Sequence, residues 1–195
     1  MKIRHLREND YRRMRWQNGG GWTTELYSHP ASADDIAFGW RVSIADIESD
    51  GAFSIFPQCD RWIALLEGNG MQLDVEGQPV VALDQRLQFV GFSGDARSSG
   101  RLLDGAVRDF NLIARRDLWR CEIHHRPLVG SMLFAASAAD MWFVYLAAGS
   151  ARIERRADLP SLSAGEALLL DTETATGSVV LDGGGELVVI RISAR

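Results

Sequence analysis

Cysteine and histidine are both scarce. The 195 residues hold two cysteines, Cys59 and Cys121, and four histidines. No Cys-x-x-Cys pair occurs, so neither redox work nor a thiolate zinc site is indicated. Two isolated cysteines in a cytosolic chain stay reduced. His124 and His125 are adjacent, which on a strand sends them to opposite faces, while His5 and His29 stand alone. No bound metal is expected, nor any other cofactor. The Gly-x-Ser-x-Gly elbow of a serine hydrolase is missing, and no nucleophile stands out. Asn18-Gly19-Gly20-Gly21 lacks the Lys-Ser or Lys-Thr that completes a nucleotide loop, and Thr23 to Tyr27 after it reads as strand, not helix. No apolar run approaches the roughly 20 residues that cross a bilayer. The charged start, Met1 to Glu8, does not read as a secretory leader, so a soluble cytoplasmic protein without membrane partners is expected. A net charge of -5 repels phosphate and argues against nucleic acid as a partner. The basic pairs Arg12-Arg13, Arg115-Arg116 and Arg155-Arg156 are scattered and read as solvated strand ends.

Strand periodicity dominates what is present. Apolar and polar residues alternate in Trp40-Arg41-Val42-Ser43-Ile44 and in Asp109-Phe110-Asn111-Leu112, as half-buried strands require. Trp142 to Leu146 is a continuous apolar run, and Leu187 to Ile192 is one broken only by Arg191, which predicts strands buried on both faces. Asp50-Gly51, Gly68-Asn69-Gly70, Ser99-Gly100 and Gly183-Gly184-Gly185 read as turns between strands. Many short strands with frequent turns predict an all-β sandwich or barrel.

An internal echo points to two barrels. Trp62 to Gly68 is similar to Trp142 to Gly149 with one residue inserted, and each is followed by a second strand pattern and then by an apolar stretch. The spacing is roughly 80 residues, longer than typical solenoid repeats and about the size of one small barrel. Strand, glycine and strand, with a later Ala164-Gly165-Glu166 turn, resemble the cupin pattern, but the His-x-His of metal-binding cupins is absent.

The first half carries a more specific resemblance. Trp16-Gln17-Asn18-Gly19-Gly20-Gly21-Trp22-Thr23-Thr24-Glu25 is similar to the signature of the HutD/Ves family. So, in order, are Trp40 to Ala45, Asp50 to Pro57, Asp60-Arg61, Leu65 to Gly70, Phe92 to Asp95 and Asp109 to Ile113. The match covers roughly the first 115 residues. It implies a bicupin of two jelly-roll-type barrels, residues 1–115 and 116–195, in one compact chain without metal. The Gly-rich N-terminal segment is expected to pair across the boundary. The resemblance also implies a link to histidine utilisation in bacteria, in an accessory or regulatory role and not a catalytic one. The ligands it implies are small carboxylic acids such as urocanate or formylglutamate. The alternative is a metal-independent cupin isomerase or hydrolase acting on a small acidic metabolite. The pocket is assigned to the first barrel. The second, degenerate barrel is a structural or dimer-forming partner, which leaves a homodimer open.

Arg61 is the first candidate to hold such an acid. It opens the apolar strand Trp62 to Leu66, near a barrel mouth, and a guanidinium fork binds a carboxylate bidentately. On the residues alone, a surface Arg61 paired with Asp60 or Glu67 is the better account; the shared motif brings the ligand reading level with it or slightly ahead. Arg41 and Ser43 share one strand face, as do Asp109 and Asn111. Asp109 and Asn111 can hold an arginine in place, or they can face solvent. Asn18 at the edge of the glycine turn can donate to a ligand, and Phe56, alternating with Ser54 around Ile55, can line the same mouth. An enzyme would need a carboxylate pair such as Glu25 with Glu67 or Asp109. The run Asp182 to Glu186 reads as a hairpin turn.

Overall fold

In the computed structural model, residues 2–30, 38–137, 140–171 and 176–195 are described. The strands run in chain order β1 (Lys2–Leu6), β2 (Arg12–Arg15), β3 (Gly21–His29), β4 (Trp40–Ile47), β5 (Gly51–Ala52), β6 (Cys59–Glu67), β7 (Met71–Val75) and β8 (Val81–Leu83). They continue with β9 (Val90–Ser93), β10 (Ser98–Leu102), β11 (Val107–Arg115), β12 (Trp119–Ala136), β13 (Asp140–Ile153), β14 (Leu162–Ser163), β15 (Ala167–Asp171) and β16 (Gly177–Ala194). A 3-10 turn at Glu8–Asp10 is the one helical element among the described residues. No helix there is long and apolar enough to cross a membrane.

Two compact units form. One is Tyr11–Trp119; the other joins Met1–Asp10 to Arg120–Arg195. The start of the chain belongs to the second unit because β1 pairs antiparallel with β15, from Lys2 opposite Asp171 to Leu6 opposite Ala167. The glycine-rich segment does not make that crossing. Asn18 to Gly21 stays in the first unit and leads into β3, which pairs with β4. Gly21 has to be glycine there, because a Cβ would overlap the Asp46 carbonyl of β4.

The first unit has two facing sheets. One runs β2-β3-β4-β11-β6-β9 and the other β5-β10-β7-β8. Their inner faces meet in one apolar cluster that includes Ile47, Ile63, Leu65, Met71, Leu73, Val75 and Val107. Alternation decides which residues join it. Along β11, Val107 is in this core; Asn111 and Ile113, further along on the same face, line a cavity.

The second unit is built on the order β1-β15-β13-β16-β12, with β14 pairing β13. Its core draws Leu128, Val144, Leu146, Leu168, Leu181, Leu187 and Val189 from long strands. The turn expected at Asp182 to Glu186 is instead the middle of β16. Gly185, Gly184 and Gly183 pair with Gly149, Ser150 and Ala151 of β13. Gly149 and Gly185 have φ of 92° and 147°, and a Cβ on either would overlap the facing backbone. These glycines let two long strands stay paired at close approach. They do not end a strand. Ser99 and Gly100, also read as a turn, lie inside β10 opposite Asp74 and Leu73.

The echo between halves is structural, with a different alignment. β6 lies between β11 and β9, and β13 lies between β16 and β15. The last strand of each unit breaks register against its partner next to a positive-φ glycine, Gly68 or Gly149. Ile63 answers to Val144 and Leu65 to Leu146, each in its own core, so no insertion is needed. Trp62 therefore answers to Phe143, and Trp142 takes the position of Arg61.

Candidate functional site

A cavity of about 560 Å³ lies within the first unit. Three neighbouring strands build its floor in rows. Ile113 of β11 stands between Arg41 of β4 and Arg61 of β6. Asn111 stands between Ser43 and Ile63, and Asp109 between Ala45 and Leu65. Arg41 and Arg61 are thus two strand spacings apart, about 10 Å between backbones, with both side chains on the cavity wall. The mouth is formed by Arg15, Trp16, Gln17 and Asn18 ahead of β3 and by Phe53, Ser54 and Phe56 after β5.

Arg61 is only 6% exposed, deeper than a mouth position would be. Its Nε and Nη2 donate to Asn111 Oδ1 at 3.1 and 2.8 Å. A guanidinium only donates, so the amide must turn its oxygen to Arg61 and its Nδ2 to Asp109. Asn111 Nδ2 donates to Asp109 Oδ1. Asn111 is 3% exposed and Asp109 is fully buried, so the solvent-facing strand edge considered for them does not occur. Arg61 Nη1 and Asp109 Oδ2 have no hydrogen-bond partner among the described residues. The guanidinium carbon of Arg61 lies 4.9 Å from the ring centre of Phe53 and 5.4 Å from that of Phe92. These distances are typical of cation–π contacts.

The surface pairing considered for Arg61 fails because its partners are taken. Arg116 Nε donates to Asp60 Oδ1 at 3.0 Å and its Nη1 reaches Asp95 at 2.7 Å. Arg108 Nη1 meets Glu67 at 2.9 Å. Arg41 is less buried than Arg61, with its guanidinium carbon 4.8 Å from Phe38 and 5.3 Å from Phe56. Its Nε is buried without a hydrogen-bond partner.

Burial governs the electrostatics here. It lowers the pKa of Arg61 to about 10, against the pull of Asp109, with Arg41 adding to the lowering. Arg61 nonetheless keeps its charge near neutrality. Arg41 is lowered by burial too, while Glu25 pulls it back up. Asp109 is pushed up to about 7 by burial, against the opposing effect of Arg61, the Asn111 amide and the Ala45 backbone N–H.

Six of the candidate residues, Arg61, Arg41, Asn18, Ser43, Phe56 and Asn111, line this one cavity. Asp109 sits behind Asn111. Asn18 is exposed at the rim, where its Oδ1 accepts the Gly20 N–H at 3.0 Å. Glu25 and Glu67 are not on the wall, and Glu67 is exposed, so the carboxylate pair an enzyme would need is not assembled. Trp16 and Phe53 were not singled out by the sequence, although both lie in the quoted motifs. They meet edge to face at 6.5 Å, and Trp16 Nε1 donates to Thr23 Oγ1 at 2.8 Å. Among the described residues no group of three or more His, Cys, Asp or Glu is placed to hold a metal.

In the second unit the corresponding positions are apolar. Trp142, Val189 and Leu187 stand where Arg61, Asn111 and Asp109 stand in the first. Val189 and Leu187 fill the core there, and Trp142 packs against it.

Fold and cavity define a two-barrel cupin-type protein with an arginine-lined pocket in its first barrel. A bacterial pirin from Escherichia coli, solved with nickel(II), has the same fold, with a TM-score of 0.71 at 12% identity, covering 97% of this chain and 98% of that one. The HutD family model matches residues 8–189, and the chain belongs to the HutD family. It is 41% identical over 153 residues to an uncharacterised 21.2 kDa protein in the hutC 3′ region of Pseudomonas putida, covering 78% of this chain and 77% of that protein. It is 35% identical over 136 residues to protein Ves of Cronobacter sakazakii, covering 69% and 71%. The solved structure of HutD from Pseudomonas fluorescens SBW25 superposes with a TM-score of 0.85 at 31% identity over 100% of both chains.

Proposed function

We propose that the first barrel binds a small carboxylic acid without converting it, in an accessory or regulatory role linked to histidine utilisation. The observation that carries this reading is the pair of arginines on one cavity wall, each with a buried N–H lacking a partner. Burying a cationic donor unpaired is costly, and an incoming carboxylate offsets that cost with charge-assisted hydrogen bonds. Arg41 and Arg61 on one wall, with Arg15 at the mouth, favour a two-headed acid such as formylglutamate over a monocarboxylate. Phenylalanine rings flank each guanidinium, exclude water and strengthen the charge interaction. The described wall carries no carboxylate, imidazole or thiol, which supports binding over turnover. The genomic neighbourhood of the Pseudomonas putida relative supports the link to histidine utilisation.

The test is calorimetric titration with formylglutamate and urocanate, followed by chromatography of the recovered compound. Saturable binding with the acid recovered intact is expected. Consumption of the acid would overturn the non-catalytic reading, and absence of binding by any small carboxylate would overturn the ligand class.

A further inference from the structure

Asp109 does not touch the cavity, yet it is tied to it. It lies fully buried one row below Asn111, and Asn111 bridges it to Arg61. The bridge is polar from end to end: guanidinium, amide, carboxylate. Asp109 is the carboxylate that this chain of hydrogen bonds ties to Arg61. Arg41 on β4 faces the same cavity, with Glu25 on β3 acting on it. Asp46 on β4 adds a negative influence on Asp109 but is itself held by Arg13 and Arg108, each at 3.0 Å. From the opposite sheet the barrel receives apolar groups of its core, among them Met71, Leu73 and Val75, and among the described residues its one buried polar side chain is the uncharged Ser98 of β10.

A carboxylate ligand changes this balance. Once a second anion sits against Arg61, two negative charges share one buried cation in a low-dielectric space. Like charges so placed disfavour double ionisation. One of Asp109's oxygens already lacks a partner, and an unpartnered hydroxyl costs less in a dry interior than an unpartnered carboxylate oxygen. We propose that an anion entering the cavity replaces Asp109 as the counter-charge of Arg61, and that Asp109 takes up one proton from solvent as the anion binds. This rests on the carboxylate-binding reading above. Asp109 then acts as a positioning residue with a proton-linked switch: ionised, it competes with the ligand for Arg61; protonated, it still accepts from Asn111 and keeps the amide turned. Burial already brings its carboxyl up to about 7, so the switch works near neutrality.

The probe is glutarate, a two-headed acid fully ionised above about pH 7. Calorimetric titration in two buffers of different ionisation enthalpy counts the protons taken up on the unmodified protein. Near pH 8 close to one proton per glutarate is expected, and affinity should fall about tenfold per pH unit above that. Asp109→Asn should bind glutarate with no proton uptake and a flat pH profile. Glutarate binding by the unmodified protein with no proton uptake would overturn this inference and leave the carboxylate reading standing. So would an Asp109→Asn protein that keeps the full pH dependence, since the proton would then belong elsewhere. No glutarate binding at any pH would overturn this inference; the carboxylate reading falls with it only if formylglutamate and urocanate also fail to bind.

Discussion

Replacing Arg61 separates its two tasks, holding the barrel together and holding the ligand. Arg61→Ala removes two hydrogen bonds to Asn111 and the cation that balances fully buried Asp109. Breaking one side of a buried charge network costs about 3–5 kcal/mol. For a chain of this length that lowers the melting temperature by roughly 6–20 °C. Alanine is therefore a poor probe of binding, although a mouth position would have made it a good one. Arg61→Lys keeps the charge and part of the stem but loses the planar fork. A hydrogen bond to a charged group is worth about 1.5–3 kcal/mol, so losing one weakens a carboxylate by about ten- to a hundredfold. Circular dichroism melts of both variants and calorimetry of Arg61→Lys with glutarate are the assays. A melt of Arg61→Ala within about 1 °C of the parent would refute the buried network, because such a loss cannot be silent. Parental affinity in Arg61→Lys would refute the fork.

Asp140 and Asp109 should give the melt opposite pH dependences. Burial would raise Asp140, but Ser137, Ser193 and Arg191 outweigh it and hold the carboxyl near 2, so its stabilisation is present above about pH 4 and lost as pH falls through about 2. Asp140→Asn should lose stability at neutral pH and show a shallower acid limb in urea titrations; an unchanged limb counts against the assignment. Asp109, held high, contributes stability below about pH 4 that is lost as pH rises through about 7. Asp109→Asn should flatten that decline, and a decline of the parental size would place the titration on another group. Gly21→Ala should lower the melting temperature by several degrees, since its Cβ meets the Asp46 carbonyl; an unshifted melt would mean that β3 and β4 separate freely.

Local pattern was enough for the class of fold and for six of the residues that line the cavity. Alternation in Trp40 to Ile44 and Asp109 to Leu112 set Arg41 with Ser43 and Asp109 with Asn111 on shared faces, because side-chain direction in a strand follows from period two alone. The absence of a His-x-His pair was equally plain in the residue order. What period two cannot say is which face turns inward, or who stands across the sheet. Arg61 reads as a surface residue until Arg116, far along the chain, claims Asp60. Gly183 to Gly185 read as a turn because glycine is permitted both in turns and where two backbones crowd. Only the pairing with Gly149 to Ala151 distinguishes the two. The same holds for the echo: Trp62 and Trp142 look alike in sequence, whereas register sets Trp142 against Arg61. That one exchange, with Val189 and Leu187 in place of Asn111 and Asp109, puts apolar side chains in the second unit where the first has its polar row. Pairing register depends on partners far apart in the chain, so it was settled only when the sheets formed.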